Sequence, residues 1–328
     1  MTEESDLGTL KVLVEHHYGI SIAQMESLGG ELDTNAYVRD DRGREFTIKR
    51  SLCLDPANVR WQYAILDHLA ERLNGIDVPT LERTQSGELD VVVSHPDGWL
   101  VVRLARWVPG VIMGGLSNPP NDLLRQWGHL AAETVLALSD FPPGQVPGTH
   151  HWDVRRSIGV IEECVQFVDD EERKNAVLQI VDWGAEAIPW LQNQPSQVVH
   201  QDLNDFNVLV DDRARRITGL LDVGDAILAP RIAELVVACA YAMLRQSDPS
   251  HAFDQVVVGY TQVLSLDDSD IKDVAKLAGL RLCVNATTWT MRDHVTGTEY
   301  GQRRMAATWP AIEALAGKVS AAGDFGNY

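Results

Sequence analysis

Asp202, Asn207 and Asp222 bring two carboxylates and an amide into one short stretch of the chain. Between Asn207 and Asp222, the runs Val208-Leu209-Val210 and Ile217-Thr218-Gly219-Leu220-Leu221 have strand character. A hairpin there would return Asp222 to the compact loop that carries Asp202 and Asn207. Phosphoryl transfer needs this inventory, because its loose transition state leaves the protein mainly to position groups and neutralise charge. One carboxylate takes the proton of an attacking hydroxyl, while a second carboxylate and an amide oxygen hold magnesium against the phosphates. Asp202 is therefore the expected base, and Asn207 and Asp222 are the expected metal ligands. Turn-forming and helix-capping duty is the plainer alternative for all three.

The longer stretch His200-Gln201-Asp202-Leu203-Asn204-Asp205-Phe206-Asn207 satisfies H-x-D-L-x-x-x-N, the catalytic-loop pattern of kinases, with Gln201 in place of arginine. Asp222-Val223-Gly224 then satisfies D-x-G. A kinase also needs a cation on the nucleotide phosphates. Phe46-Thr47-Ile48-Lys49 resembles the strand lysine of V-A-I-K, although an isolated strand lysine is usually a solvated edge residue. No G-x-G-x-x-G precedes it. The turn from Leu28 to Asn35 offers Gly29, Gly30, Thr34 and Asn35 as backbone donors and small polar groups to cover phosphates.

The elements that must position these groups fall into two parts. Up to about residue 105 the pattern alternates: a helix over Leu10 to His17, a hairpin of Ala36 to Arg39 and Glu45 to Lys49, a helix from Asp55-Pro56 to Leu73, and strands Asp90 to Ser94 and Trp99 to Leu104. From Pro109-Gly110 onward helices dominate: Asp122 to Ser139, Val154 to Val168, Glu171 to Leu191, Ile232 to Arg245, Ala252 to Ser265 and two or three more. Only Val198 to Val223 interrupts them. The expectation is an α+β, bilobal chain: a sheet-rich lobe over 1–105, a linker over 106–110 and a helical lobe over 111–328. Phe141 to Gly148, rich in Pro and Gly, reads as a loop.

Composition removes several functional classes. Of 328 residues 28 are basic and 47 acidic, a net charge of −19, which argues against a nucleic-acid partner. The longest apolar runs fall well short of the ~20 residues a membrane span needs. The acidic start, Met1-Thr2-Glu3-Glu4-Ser5-Asp6, lacks the basic and apolar regions of a signal peptide, which predicts a cytoplasmic protein. Cys53, Cys164, Cys239 and Cys283 are scattered without C-x-x-C spacing, so neither zinc nor a disulfide framework is expected.

At these motifs the chain resembles the aminoglycoside phosphotransferase superfamily, small-molecule kinases with a protein-kinase-like bilobal fold, and within it the hydroxylysine kinase branch. The likeness runs from His200 to Val210, through Thr218 to Asp225, and on through Ala233-Glu234-Leu235 to Ala240-Tyr241-Ala242-Met243-Leu244. That branch reads H-G-D-L-N-D-x-N-I/V-L and G-I/L-D-F-G-D, so Gln201 stands for glycine and Val223 for phenylalanine. The resemblance implies ATP or GTP as phosphoryl donor, magnesium, and a small-molecule acceptor bearing a hydroxyl. It places Gln62 where most kinases have the glutamate that tethers the strand lysine, and backbone groups near Arg106 and Val108 against the purine; Trp107 between them is at least as well read as a packing residue.

The acceptor side is more open. Asp225 suits either magnesium or acceptor. Trp152 and Asp153 resemble the branch's Trp-Asp pair, or else pack and cap the next helix. Arg281, Asn285, Thr288 and Arg292, with Trp289 among them, share one side of a late helix that either faces solvent or lines the acceptor site. In the second case the arginines suit an acceptor with a carboxylate. The acceptor classes are an amino alcohol, an amino acid, a sugar or an antibiotic. A catalytically silent nucleotide-binding or regulatory protein is the competing reading, favoured by Gln62 and Val223. A protein kinase is a third, disfavoured by the missing A-P-E segment and glycine-rich loop.

Overall fold

The computed structural model describes residues 3–30, 33–144, 150–297 and 299–322; Glu31 and Leu32 of the glycine-containing turn, and residues 145–149 of the Pro/Gly loop, lie outside them. Backbone contacts divide the chain into two compact units, residues 1–71 with 77–109, and residues 72–76 with 110–328.

The first unit is built on a five-stranded antiparallel sheet in the order β1 (Ile22–Gly29), β2 (Thr34–Asp40), β3 (Glu45–Cys53), β5 (Gly98–Arg106), β4 (Val91–His95). Because strand side chains alternate between faces, Phe46 and Ile48 of β3 and Val102 and Leu104 of β5 point one way. They pack with Leu10, Val14 and Tyr18 of α1 (Glu3–Tyr18). Val101 packs with Val59 and Tyr63 of α2 (Pro56–Arg72) on the other face. The hairpin of β2 and β3 turns at Gly43, whose φ of +79° suits glycine. β1 was not expected: it is an edge strand whose sequence IAQMESLG is largely exposed and lacks the apolar alternation of a half-buried strand.

The second unit contains α3 (Asn121–Ala137), α4 (Ser157–Cys164), α5 (Glu171–Ala185), α6 (Ile188–Gln192), α7 (Ala233–Ala242), α8 (Pro249–Thr261), α9 (Asp268–Thr296), α10 (Glu299–Ala306) and α11 (Thr308–Ala322). Two expected helices are subdivided. The span 171–191 breaks before α6, which carries Pro189 in its first turn, where the missing N–H costs nothing. The span 154–168 is a short helix between two 3-10 turns. Helices α3 and α8 pack at a glycine contact: a Cβ on Gly128 would collide with the Val256 carbonyl, and one on Gly259 with the Arg125 carbonyl. Five short strands complete the unit, β6 (Val111–Ile112), β7 (Ser196–Val199), β8 (Val208–Val210), β9 (Ile217–Leu220) and β10 (Ile227–Pro230). β6, β8 and β9 form one antiparallel sheet, and β7 pairs with β10. Among the described residues no helix is long and apolar enough to cross a membrane, and the four cysteines are free thiols.

Candidate active site

The loop between β7 and β8 carries Asp202 and ends at Asn207, and Asp222 follows β9 directly. Pairing of Val208 with Leu220 brings the ends of that hairpin together, and the Leu221 N–H donates to the Asn207 carbonyl at 2.8 Å. Asp202, Asn207 and Asp222 are thus gathered on adjoining backbone, as their spacing predicts.

Side-chain amides fix the Asp202 carboxylate. Asn204 Nδ2 donates to its Oδ1 at 2.7 Å, and Asn207 Nδ2 donates to its Oδ2 at 2.6 Å and to its carbonyl at 2.9 Å. The Arg281 guanidinium stands 3.5 Å from Oδ1. Asn207 thereby commits its NH2 group inward, and its amide oxygen accepts no hydrogen bond among the described residues. Asp222 holds a left-handed backbone, φ +53°, and its Oδ1 accepts from the Gly224 N–H at 2.9 Å. A carboxylate and an amide oxygen are the hard donors that suit magnesium or calcium. No group of three or more His, Cys, Asp or Glu side chains among the described residues offers a metal site. The donor set therefore fits a cation that is completed by water or phosphate oxygens.

Two buried residues hold this arrangement, and the sequence reading gave neither a role. His200 Nδ1 accepts from the Asp202 N–H at 3.2 Å, and its Nε2–H donates to the Leu221 carbonyl at 3.0 Å. One ring thus ties Asp202 to the segment leading into Asp222. Burial lowers its pKa and favours the neutral imidazole that this pair of bonds requires. Beneath it, Glu234 of α7 is fully buried and accepts from the His200 N–H. Burial pushes its pKa up to about 8; the backbone groups of His200 and Gln201 oppose the shift, and the charge of Asp202 adds to it. The clue was Glu234 as the one charged residue in the apolar run Ile232 to Leu244, since a carboxylate in such a run must have a partner. Further support comes from Trp127 of α3, whose Nε1–H donates to the Leu203 carbonyl at 3.2 Å, and from the buried Asp205, which pairs with Arg245.

Gln201 adopts φ +68°, a conformation that favours the glycine this branch usually has. Its side chain is fully buried, and Nε2 donates to the Trp152 carbonyl at 2.8 Å. The Arg281 guanidinium donates to the same carbonyl at 2.7 Å and lies over the Trp152 ring at 4.8 Å. Val223 is buried beside Asp222.

Of the two alternatives for the stripe on α9, solvent is the one it does not face: Arg281 and Asn285 are each 1% exposed and Thr288 is 0% exposed. The helix crosses the middle of its unit, packing on α4, α5, α7, α10 and α11, so its polar residues meet other helices. Three residues named for the acceptor have partners within the unit. Asn285 accepts from the Tyr241 hydroxyl and donates to Thr308, which joins α7, α9 and α11. Asp153 caps the 3-10 turn after it and is bound by Arg155 at 2.6 Å. Arg281 serves Asp202 and Trp152, as described.

Arg292, half-buried, lies over the rings of Trp152 and Trp289 at 5.6 and 4.9 Å. His151, bonded to Thr288 at 2.9 Å, has its pKa lowered to about 4, chiefly by burial and then by Arg292, so it stays neutral. Asp225 pairs with His150 at 3.3 Å.

In the first unit, Lys49 of β3 meets the Asp33 carboxylate at 3.2 Å. Gln62 of α2 accepts from Arg103 of β5 at 3.3 Å. Thr34 accepts from Arg50, and Asn35 donates to the Gly29 carbonyl. Gly30 lies so close to the Asp33 carbonyl that a Cβ would collide with it. The Arg106 N–H is taken by the Thr80 carbonyl and its guanidinium by Glu82, whereas the Val108 N–H meets no acceptor among the described residues. Trp107 packs edge-on against Tyr37.

A sheet-based unit with a strand lysine and a helical unit with a D-x-x-x-x-N loop and a following D-x-G define a kinase-like small-molecule phosphotransferase. The Phosphotransferase enzyme family (APH) matches residues 25–267, and the chain belongs to it. Hydroxylysine kinase of Danio rerio is 25% identical over 288 residues, covering 83% of this chain and 79% of that protein. Hydroxylysine kinase of Mus musculus is 22% identical, covering 77% and 73%. Among solved structures, a microcompartment-associated aminopropanol kinase superposes with a TM-score of 0.72 at 16% identity, covering 97% of this chain and 99% of that one. An amicoumacin kinase in complex with AMP-PNP, Ca2+ and Ami gives 0.68 at 14% identity, covering 96% and 94%.

Proposed function

We propose that the protein transfers the γ-phosphoryl group of ATP or GTP to a hydroxyl of a small amino alcohol or hydroxy amino acid. The observation that carries this reading is the Asp202 carboxylate held by the amides of Asn204 and Asn207 while the Asn207 oxygen stays uncommitted beside Asp222. In this reading Asp202 orients the acceptor hydroxyl and takes its proton as the oxygen–phosphorus bond forms and the bond to the leaving diphosphate breaks. Asn207 and Asp222 hold magnesium, which supplies neutralising charge to the phosphates when bound. Lys49 offers a cation to nucleotide phosphates, and the Val108 N–H offers a donor to the purine. The enzyme forms no covalent phosphoryl intermediate.

The acceptor class rests on two features. Arg292 is a half-buried guanidinium among tryptophans, suited to a carboxylate. Asp225, paired with His150, is suited to an ammonium group. The relatives point the same way, since hydroxylysine and aminopropanol each combine an amine with a hydroxyl.

Radiolabelled ATP and GTP incubated with amino alcohols, hydroxy amino acids, sugars, aminoglycosides and nucleoside antibiotics tests this directly. The expected result is label transferred to an amine-bearing alcohol. D202A should lower kcat by about a hundred- to ten-thousand-fold while leaving nucleotide affinity in place. Equal turnover by D202A would remove the base assignment. Thermal stabilisation by nucleotide with transfer to no acceptor would favour the catalytically silent alternative, and label appearing in a protein substrate would favour a protein kinase.

A further inference from the structure

Lys49 and Arg103 are directly opposite each other on β3 and β5, so both side chains leave the same face of the sheet, the face that α2 covers. Asn35 of β2 completes the row on the other side of Lys49. Like charges placed opposite one another across strands repel, and an anion between them relieves the conflict. Here that anion is Asp33: the same oxygen, Oδ2, lies 3.2 Å from Lys49 Nζ and 3.9 Å from Arg103 Nη2.

The rest of the Arg103 guanidinium is held firmly. Nη1 donates to Ser51 Oγ at 2.8 Å, Nη2 reaches Gln62 Oε1 at 3.3 Å, and the group lies over the Tyr63 ring at 5.7 Å. Gln62 contributes an oxygen and no charge. The carboxylate Asp90 is engaged elsewhere, by two bonds of 2.9 Å from Arg60. An oxygen anion bridging a lysine and a fixed guanidinium is the arrangement a nucleotide phosphate would make with the same pair. Asp33 sits at the end of the turn expected to cover the phosphates, and its side chain is 23% exposed, so it is placed to yield.

We propose that Arg103 is a second phosphate-binding cation of the nucleotide site, acting beside Lys49, and that the Asp33 carboxylate keeps the place of a phosphate oxygen until the nucleotide displaces it. The inference rests on the kinase reading given above. It gives the phosphates a second fixed cation beside the strand lysine, where other kinases have a helix glutamate that only holds the lysine in place.

Calorimetric titration of the full-length protein with adenosine, guanosine, ADP, GDP, ATP and GTP, with and without magnesium, tests it. R103Q should weaken the triphosphate by about tenfold and change nucleoside affinity by less than about twofold. R103K, which keeps the charge and loses the fork, should fall between. D33N should tighten the triphosphate, most clearly at low ionic strength. A purely structural Arg103 would lower the affinity for nucleoside and triphosphate by the same factor, or lower Tm with no change in affinity; either outcome overturns the proposal. Weaker triphosphate binding by D33N overturns the role given to Asp33. Should R103Q fail to fold, R103K and D33N still decide, since unchanged triphosphate affinity in both would overturn the idea. Wild-type protein that binds no nucleotide would instead sink the underlying kinase reading, and this proposal with it.

Discussion

Gln201 shows how a site residue can depart from its family and still be accommodated. A non-glycine residue at φ +68° costs about 1 kcal/mol or more, yet its amide gains a buried bond to the Trp152 carbonyl. Glu234 is the more consequential buried group. A carboxylate whose pKa rises from 4.5 to about 8 on folding stabilises the native state fully below pH 4.5. Between those values the unfolded chain releases the proton and the folded chain keeps it, so stability falls as pH rises, and the loss is complete above about pH 8. E234Q cannot lose a proton. The Tm difference between wild type and E234Q should therefore shift against wild type as pH is raised from 5 to 8.5, measured by calorimetry in matched buffers. Parallel curves would show that Glu234 is ionised throughout.

At the scale of elements, the close packing of α3 on α8 depends on the absence of a side chain at Gly128 and Gly259. G128A would force the helices apart at a cost of about 1–3 kcal/mol, lowering Tm by several degrees. Because α3 also supports the Leu203 carbonyl through Trp127, kcat should fall with it. Unchanged Tm in G128A would mean that the two helices separate freely.

Elements with strong local signals were legible in the sequence: the β2–β3 hairpin around its Asp-Asp-Arg-Gly turn, α2 opened by Asp55-Pro56, and the loop from His200 to Asn207. The strands β1, β7 and β10 were not, because β1 is an exposed edge and the other two pair with each other across a long stretch of chain, with no hairpin turn between them to mark the pairing. The α9 stripe was ambiguous in the sequence for a physical reason. A polar stripe marks the solvent face only of a helix with one buried side, and α9 is enclosed, so Arg281 and Asn285 became partners of Asp202 and of α7 and α11. The trio of Asp202, Asn207 and Asp222 could be found from spacing. Arg103 could not, because its meaning depends on the cross-strand register that sets it against Lys49.

For the whole molecule, the net charge of −19 supplies a test of acceptor class that no single residue does. A strongly acidic protein attracts a polycation over long range, and salt screens that attraction with a Debye length of about 10 Å at 0.1 M. A zwitterion or a singly charged amino alcohol experiences the same field weakly, and its affinity comes from short-range partners such as those proposed at Arg292 and Asp225. Raising the salt from about 20 to 300 mM should change KM for a hydroxy amino acid by less than about twofold, and should weaken any aminoglycoside acceptor several-fold. Steady-state kinetics at fixed free magnesium separates the cases. A best acceptor whose KM rises steeply with salt would mean that the acidic surface, rather than the pocket residues, selects the substrate, and the acceptor class proposed from Arg292 and Asp225 would fall.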